Sequence, residues 1–414
     1  MKKYYFYSLF FLQFHSFAQT TKNVYFIGNS YTDNNNLPNL IDLVANSTND
    51  DLVYQSHLPG GSTFQQHVVN PTVINSINQG NWDYVVLQQQ SQMPSFPNAN
   101  ATLNAAAQLS EMIKNANPCG TPLFYMTWGR KFGDEVNCAN GITYLCTYEG
   151  MDDKLYERYM QMTEDNEAVV SPVARVWRAI RQQQPQLELF ASDNSHPSYL
   201  GSMVAAYTFY TVIFKKDPSL APYNGNLSSS DATTIKNIVK DVVFDELATW
   251  KVGVNDVATN FTAQLVNGLA VQFTNESENA TQFLWNFGDG TTSTEENPIH
   301  TYTNDQTYTV TLTTNACETT SSKSKSITVS QLSNDAVWRK DVQIFPNPAS
   351  SHLSVTNLDF EEVHFYDVTG RLISLPSSKQ NDFMIFNLES IQSGTYILHL
   401  TKDLKTQVFS FVKK

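Results

Sequence analysis

The sequence is poor in charge, poorer still in basic residues, and carries little cysteine. Only 16% of its 414 residues are charged, and 26 Lys and Arg face 39 Asp and Glu, for a net charge of -13. A chain this acidic, with no Lys/Arg cluster, repels polyanions at long range, which argues against nucleic acid as a partner. The four cysteines, Cys119, Cys138, Cys146 and Cys317, form no Cys-x-x-Cys pair and have no His at metal-ligand spacing. No zinc site follows from them, and the Asp33-Asn34-Asn35-Asn36 run lacks the alternating ligands, central Gly and terminal Glu of an EF-hand. Neither a metal nor any other cofactor is implied. No apolar run reaches the roughly 20 residues needed to cross a bilayer, so no transmembrane anchor is expected.

The apolar run that does exist sits at the start. Lys2 and Lys3 precede Tyr4 to Phe14, and Ser16-Phe17-Ala18 places small residues before Gln19, the pattern of a removable export signal over residues 1–18. Export places the cysteines in an oxidising compartment, where local disulfides are the default. Cys138 with Cys146, both in one irregular stretch, is the preferred pairing, with Cys119 as a competing partner.

Hydrophobic residues make up 41% of the chain, enough for several cores, and 414 residues call for more than one domain. From residue 22 to about 250, short apolar runs alternate with amphipathic stretches. Strands are expected at 23–27, 52–54, 83–87, 122–126 and 187–190, and helices near 37–47, 63–78, 100–116, 152–184, 198–214 and 229–250. This alternation predicts an α/β domain over 20–250, a flavodoxin-like parallel sheet with helices on both faces. Beyond residue 250 the texture changes to short Thr/Val/Phe/Tyr runs broken by Gly, Asn and Pro. Two small all-β sandwich modules are expected there, at 255–330 and 342–414, with a polar linker between.

Chemistry-bearing residues gather at two places in the α/β domain. The first strand runs into Phe26-Ile27-Gly28-Asn29-Ser30, which sets a Ser where parallel sheets present side chains to ligands. Asp193-Asn194-Ser195-His196 puts an Asp three residues before a His. In one turn the carboxylate reaches Nδ1, fixes the tautomer, and leaves Nε2 free to take a hydroxyl proton. Together the two elements resemble the SGNH/GDSL hydrolase family over about residues 22–215. Gly28-Asn29-Ser30 is similar to its first block with Asn in place of Asp, and Asp193-x-x-His196 to its last.

The resemblance implies Ser30 as nucleophile, Asp193 and His196 as its partners, and an oxyanion hole drawn from three loops. The Ser30 N–H is one donor. Gly61 of Pro59-Gly60-Gly61-Ser62 is the expected second, with Gly60 as fallback. The family's Gly-x-Asn-Asp block is missing, so a carboxamide from Gln88-Gln89-Gln90-Ser91-Gln92 has to supply the third, Gln90 or Gln88. The insertion 127–149 offers Trp128, Arg130 and Tyr148 either as substrate-binding residues or as the packed base of a lid. His57 and His67 lack an orienting Asp and are read as structural or substrate-facing.

Leu284-Trp285-Asn286-Phe287-Gly288-Asp289-Gly290-Thr291, with Tyr302 and Tyr308, resembles a PKD domain. Ile344-Phe345-Pro346-Asn347-Pro348, Tyr366-Asp367-Val368-Thr369-Gly370 and Gly394-Thr395-Tyr396 resemble the C-terminal sorting domain of the type IX secretion system of Bacteroidetes. These resemblances imply a secreted or surface esterase that engages type IX secretion machinery and removes small acyl groups, O-acetyl in the first place, from an acylated carbohydrate. The competing readings are a lipid or aryl esterase and a non-catalytic surface protein that binds glycans.

Overall fold

The computed structural model describes residues 19–267, 269–317, 319–330, 342–356, 360–380, 382–402 and 405–414. The expected export signal and the polar linker at 331–340 lie outside the described residues. The chain divides into two compact units, residues 1–256 with 316–319, and residues 257–315 with 320–414.

The first unit is built on five parallel strands, β1 (Thr21–Ile27), β2 (Asp51–His57), β3 (Tyr84–Leu87), β4 (Thr121–Tyr125) and β5 (Val169–Ser171), in the order β2-β1-β3-β4-β5. This is the flavodoxin-like arrangement. Val24 to Ile27, Val85 to Leu87 and Leu123 to Tyr125 are almost wholly buried, as expected of parallel strands covered on both faces. Among the described residues ten α-helices accompany the sheet: α1 (Ser30–Asp33), α2 (Leu37–Asn46), α3 (Phe64–His67), α4 (Pro71–Ile77), α5 (Asn100–Ala116), α6 (Glu135–Ala139), α7 (Tyr148–Asp165), α8 (Val173–Gln183), α9 (Tyr199–Phe214) and α10 (Ser229–Val242). Residues 201–214 of α9 are all buried, which makes it an internal helix; a Cβ on its Gly201 would lie 2.3 Å from the Leu189 carbonyl and 2.6 Å from the Trp177 ring. The chain runs from β1 outward to β2 and returns to β3 on the other side of β1. That reversal is a topological switch point at the C-terminal ends of β1 and β3, the place where open α/β sheets bind ligands.

Four expected elements differ. The fifth strand is Val169–Ser171, not 187–190, whose only pairing is an isolated bridge from Phe190 to Pro197. The helix expected over 152–184 is two helices, α7 and α8, with β5 between them. Glu167 turns the chain at φ +48, the β-branched pair Val169-Val170 pairs with β4, and Pro172 supplies no N–H to continue a helix across the gap. Pro71 likewise divides 63–78 into α3 and α4, and past α10 the segment Phe244–Trp250 is a 3-10 helix.

The second unit holds two antiparallel modules. In the first, β6 (Phe261–Asn267), β7 (Ala270–Asn275) and β10 (Ile299–Thr301) form one sheet, and β8 (Gln282–Asn286), β9 (Thr292–Ser293), β11 (Gln306–Ala316) and β12 (Thr319–Val329) the other. Trp285, Phe287 and Tyr302 lie in its core, and Gly288 and Gly290 take the positive φ that the intervening turn requires. In the second module, β13 (Ile344–Phe345), β14 (His352–Thr356), β17 (Ser377–Gln380) and β18 (Phe383–Asn387) pair, as do β15 (Glu362–Asp367), β16 (Leu372–Ile373), β19 (Gly394–Lys402) and β20 (Lys405–Lys413). Leu353, Val355, Phe365, Phe386, Leu398 and Leu400 are among its buried core residues.

Cys138 and Cys146 are disulfide-bonded, with Cα atoms 4.8 Å apart. Cys119 is bonded to Cys317, 198 residues away, a pairing that local spacing cannot signal. No described helix is long and apolar enough to cross a membrane.

Candidate active site

Ser30 opens α1 directly after β1. Its helix is capped by Asn29, whose Oδ1 accepts from the Tyr31 N–H at 3.2 Å while its Nδ2 donates to the Ser62 carbonyl at 2.9 Å. The Ser30 Oγ stands 2.8 Å from His196 Nε2, across 166 residues of chain. On the far side of the imidazole, Nδ1 lies 2.5 Å from Asp193 Oδ2. The other oxygen of that carboxylate accepts the backbone N–H groups of Ser195 and His196, each at 3.0 Å. This tight turn requires Asn194 at φ +59, a conformation that Asn tolerates better than most residues. Partial burial alone would raise the Asp193 carboxyl, but the hydrogen bonds from His196 and the two backbone groups outweigh it and hold the group below its ordinary range. An ionised Asp193 keeps the proton of a neutral imidazole on Nδ1 and leaves Nε2 as acceptor for the Ser30 hydroxyl. The three side chains thus form a hydrogen-bonded chain of hydroxyl, imidazole and carboxylate, the arrangement that a serine nucleophile with its base and orienter requires.

Beneath Ser30 the turn is held by buried polar groups. Gln88 is fully buried; its Oε1 accepts from the Asn29 N–H at 2.9 Å and the Thr32 hydroxyl at 3.0 Å, and its Nε2 donates to the Gln89 carbonyl. This packing explains Gly28, because a Cβ there would lie 2.8 Å from both Gln88 Oε1 and Thr32 Oγ1. His67, 1% exposed, points Nε2 at the Gly28 carbonyl, 3.0 Å away. Burial lowers its pKa to about 4, so the ring is neutral at ordinary pH and donates from Nε2. His57 lies beside it with Nε2 3.3 Å from the Asn70 carboxamide. Both histidines serve the scaffold on the nucleophile's side, and neither touches Ser30.

The expected oxyanion donors separate. The Ser30 N–H is the first of α1 and has no acceptor among the described residues. Gly61, at φ +68 and exposed, belongs to the turn that Asn29 ties to the nucleophile through Ser62. Gln88 is not available for this role: buried at 0% exposure, it braces the turn from inside. Gln90 is partly exposed, but its Oε1 caps the Gln92 and Met93 N–H groups and its Nε2 donates to Gln92 Oε1 at 3.2 Å. A second Nε2 hydrogen is all it leaves over. Gln89 is buried too, accepting from the Phe64 and Gln90 N–H groups and donating to Thr102.

Of the three expected substrate-binding residues, two are core. Trp128 is 0% exposed, stacked on Trp177 at 3.5 Å and on Tyr31 at 5.3 Å, with its Nε1–H donated to the Ser195 carbonyl at 3.1 Å. Tyr148 is 3% exposed under Arg181, whose guanidinium lies 4.1 Å from its ring centre. Aromatic rings in an insertion are as useful to a core as to a ligand, and here the insertion packs inward. Arg130 remains about one-third exposed. Its Nε is buried without a partner and its Nη1 is 3.7 Å from Asp134, a carboxylate already taken by Asn137 and Gln92. Tyr31 and Ser195, which no motif singled out, join the site through a 2.6 Å contact between hydroxyls. Each is a chain neighbour of a motif residue, and that adjacency is the only sign of them in the sequence. Among the described residues no group of three or more His, Cys, Asp or Glu is placed to hold a metal.

Comparison with known proteins assigns the two small modules. Residues 255–330 match the PKD domain family, and residues 343–414 the secretion system C-terminal sorting domain, which marks the chain for secretion or the cell surface. The chain is similar to collagenase ColA of Bacillus cereus, 31% identical over 134 residues, 32% of this chain and 13% of that protein, so it spans about an eighth of the length of this curated relative. Solved structures similar to the N-terminal half include SGNH/GDSL hydrolases. A candidate SGNH hydrolase from Slackia heliotrinireducens is 26% identical, covering 47% of this chain and 100% of its own, with a TM-score of 0.40. The psychrotrophic esterase EstA from Pseudoalteromonas is 12% identical, covering 47% and 97%, with a TM-score of 0.34.

Proposed function

We propose that this chain is an exported serine esterase that cleaves small acyl esters, O-acetyl groups on a polysaccharide in the first place, through an acyl-Ser30 intermediate. The observation that carries this reading is the 2.8 Å approach of Ser30 Oγ to an imidazole whose other nitrogen is held by a carboxylate. In acylation, His196 Nε2 takes the hydroxyl proton as Oγ attacks the ester carbonyl, then returns it to the departing alcohol. In deacylation the same nitrogen takes a proton from water, the hydroxide adds to the acyl carbonyl, the bond to Ser30 Oγ breaks as His196 returns the proton to that oxygen, and the acid leaves. The Ser30 and Gly61 N–H groups stabilise the oxyanion, and the remaining hydrogen of Gln90 Nε2 is the candidate third donor. Arg130, about one-third exposed and ion-paired to Asp134 at 3.7 Å, is the proposed contact to the alcohol side of the substrate.

The sorting domain supports export, and a PKD module in the same chain suits a polymeric substrate. The full-length protein should release acetate from acetylated polysaccharides and nitrophenol from 4-nitrophenyl acetate, with Ser30→Ala and His196→Ala each at least about a thousandfold slower. No turnover by the parent protein on any acetyl ester would refute the proposal.

A further inference from the structure

The Asp193–His196 turn organises itself. Every hydrogen bond of the Asp193 carboxylate falls within the turn, so Asp193 sets His196 relative to its own loop and not relative to Ser30. Two side chains from the nucleophile's segment reach across. Asn35 Nδ2 donates to Ser202 Oγ at 2.9 Å and lies 3.3 to 3.4 Å from the carbonyls of Pro197 and Ser198, beyond the base. Tyr31, the residue after the nucleophile, meets the turn one residue before the base: its hydroxyl is 2.6 Å from Ser195 Oγ and its ring centre 5.0 Å from that of His196. The ring is 3% exposed and backed by the Trp128–Trp177 stack, and Trp128 grips the Ser195 carbonyl. Ser195 is therefore held at both its side chain and its backbone. Burial keeps Tyr31 a neutral phenol, able to hold this contact across the ordinary pH range.

Resting on the esterase reading, we propose that Tyr31 is a positioning residue, acting through Ser195 to hold the base's turn against the nucleophile's turn while Ser30 is acylated. Before reaction the two turns are also joined by the Ser30 hydroxyl proton on Nε2. Once the acyl group is on Oγ that proton has left with the alcohol, and the Ser30–His196 hydrogen bond no longer exists. The imidazole must nevertheless stay in place to take a proton from water. At that stage the Tyr31–Ser195 contact is the nearest remaining link between the two turns. Its loss then falls on deacylation, whereas acylation starts from a state in which Ser30 still holds the base.

The test is stopped-flow and steady-state hydrolysis of 4-nitrophenyl acetate by the full-length protein, Tyr31→Phe, Ser195→Ala and the double variant. Each single variant should slow deacylation about tenfold, the worth of one well-placed hydrogen bond, and leave acylation within about twofold. Because deacylation then limits turnover, kcat and KM fall together, kcat/KM is unchanged, and the nitrophenol burst rises toward one per chain. The double variant should be no slower than Tyr31→Phe alone, since both substitutions remove the Tyr31–Ser195 contact and only Tyr31→Phe also removes the hydroxyl's bond to Ser91. A role confined to folding would instead lower kcat/KM, and that result overturns the proposal. So do unchanged deacylation rates in variants of a parent that forms acyl-Ser30 normally. A parent that forms no acyl-Ser30 by mass spectrometry overturns the esterase reading itself, and this proposal with it.

Discussion

The two halves of the candidate relay are held in opposite ways. Ser30 stands on a turn braced from inside by Gln88 and His67, both essentially unexposed, with Gly28 leaving the space they need. His196 stands on a turn whose side chains are one-third to one-half exposed and whose hydrogen bonds are mostly its own. Buried polar groups are costly to leave unpaired, and exposed ones are not. Changes on the nucleophile's side should therefore cost stability together with rate, and changes on the base's side rate alone.

The largest effect expected from that contrast is at Asp193. Asp193→Asn should lower kcat a hundredfold or more on acetyl esters, because the amide no longer fixes the imidazole tautomer, while the melting temperature stays within about 2 °C. A large fall in melting temperature would break the comparison. Gln88→Met, similar in shape, leaves the Asn29 N–H and Thr32 hydroxyl without their buried acceptor. It should destabilise the protein by about 2–4 kcal/mol, measured by denaturant unfolding, and lower activity as the turn loosens.

His67 sharpens the same contrast through pH. Its folded pKa of about 4 lies below the ordinary 6.5, so between these values the unfolded chain binds a proton that the folded one does not. Its contribution is complete above pH 6.5 and is lost as pH falls toward 4, amounting to at most about 3 kcal/mol. His67→Gln keeps a donor for the Gly28 carbonyl and should flatten the pH dependence of the melting temperature over that window. An unchanged slope would count against His67 as its source. The smallest effect belongs to the rim: Arg130→Gln should raise KM for the polysaccharide ester several-fold with kcat nearly constant, whereas equal loss of both would place Arg130 in the chemistry.

The base's turn was legible because its logic is local. Asp193, Asn194 and His196 lie within four residues, and the carboxylate-to-imidazole geometry follows from that spacing. The α/β alternation was legible for a similar reason, since strands buried on both faces stand out as continuous apolar runs. Where β5 fell inside a helical pattern, three residues were too few to interrupt a period of 3.6, and pairing with β4 decided the matter. Trp128 and Tyr148 were misplaced because an aromatic ring in a loop carries no mark of which way it faces.

The sequence by itself determined the parallel-sheet class and the Asp-x-x-His turn, which rest on periodicity and short spacing, while the pairing of that turn with Ser30 was what the resemblance to a known family implied. Only the tertiary structure decided that Gln88 braces the nucleophile's turn instead of lining the oxyanion site, that Tyr31 and Ser195 join the two turns, and that Cys119 pairs with Cys317. Each of these contacts joins residues 59 to 198 positions apart, and at such separations chain neighbours impose no geometry. The first two exist because the chain reverses between β2 and β3 and brings the C-terminal ends of β1 and β3 side by side, whereas Cys119 lies before β4, at the opposite end of the sheet.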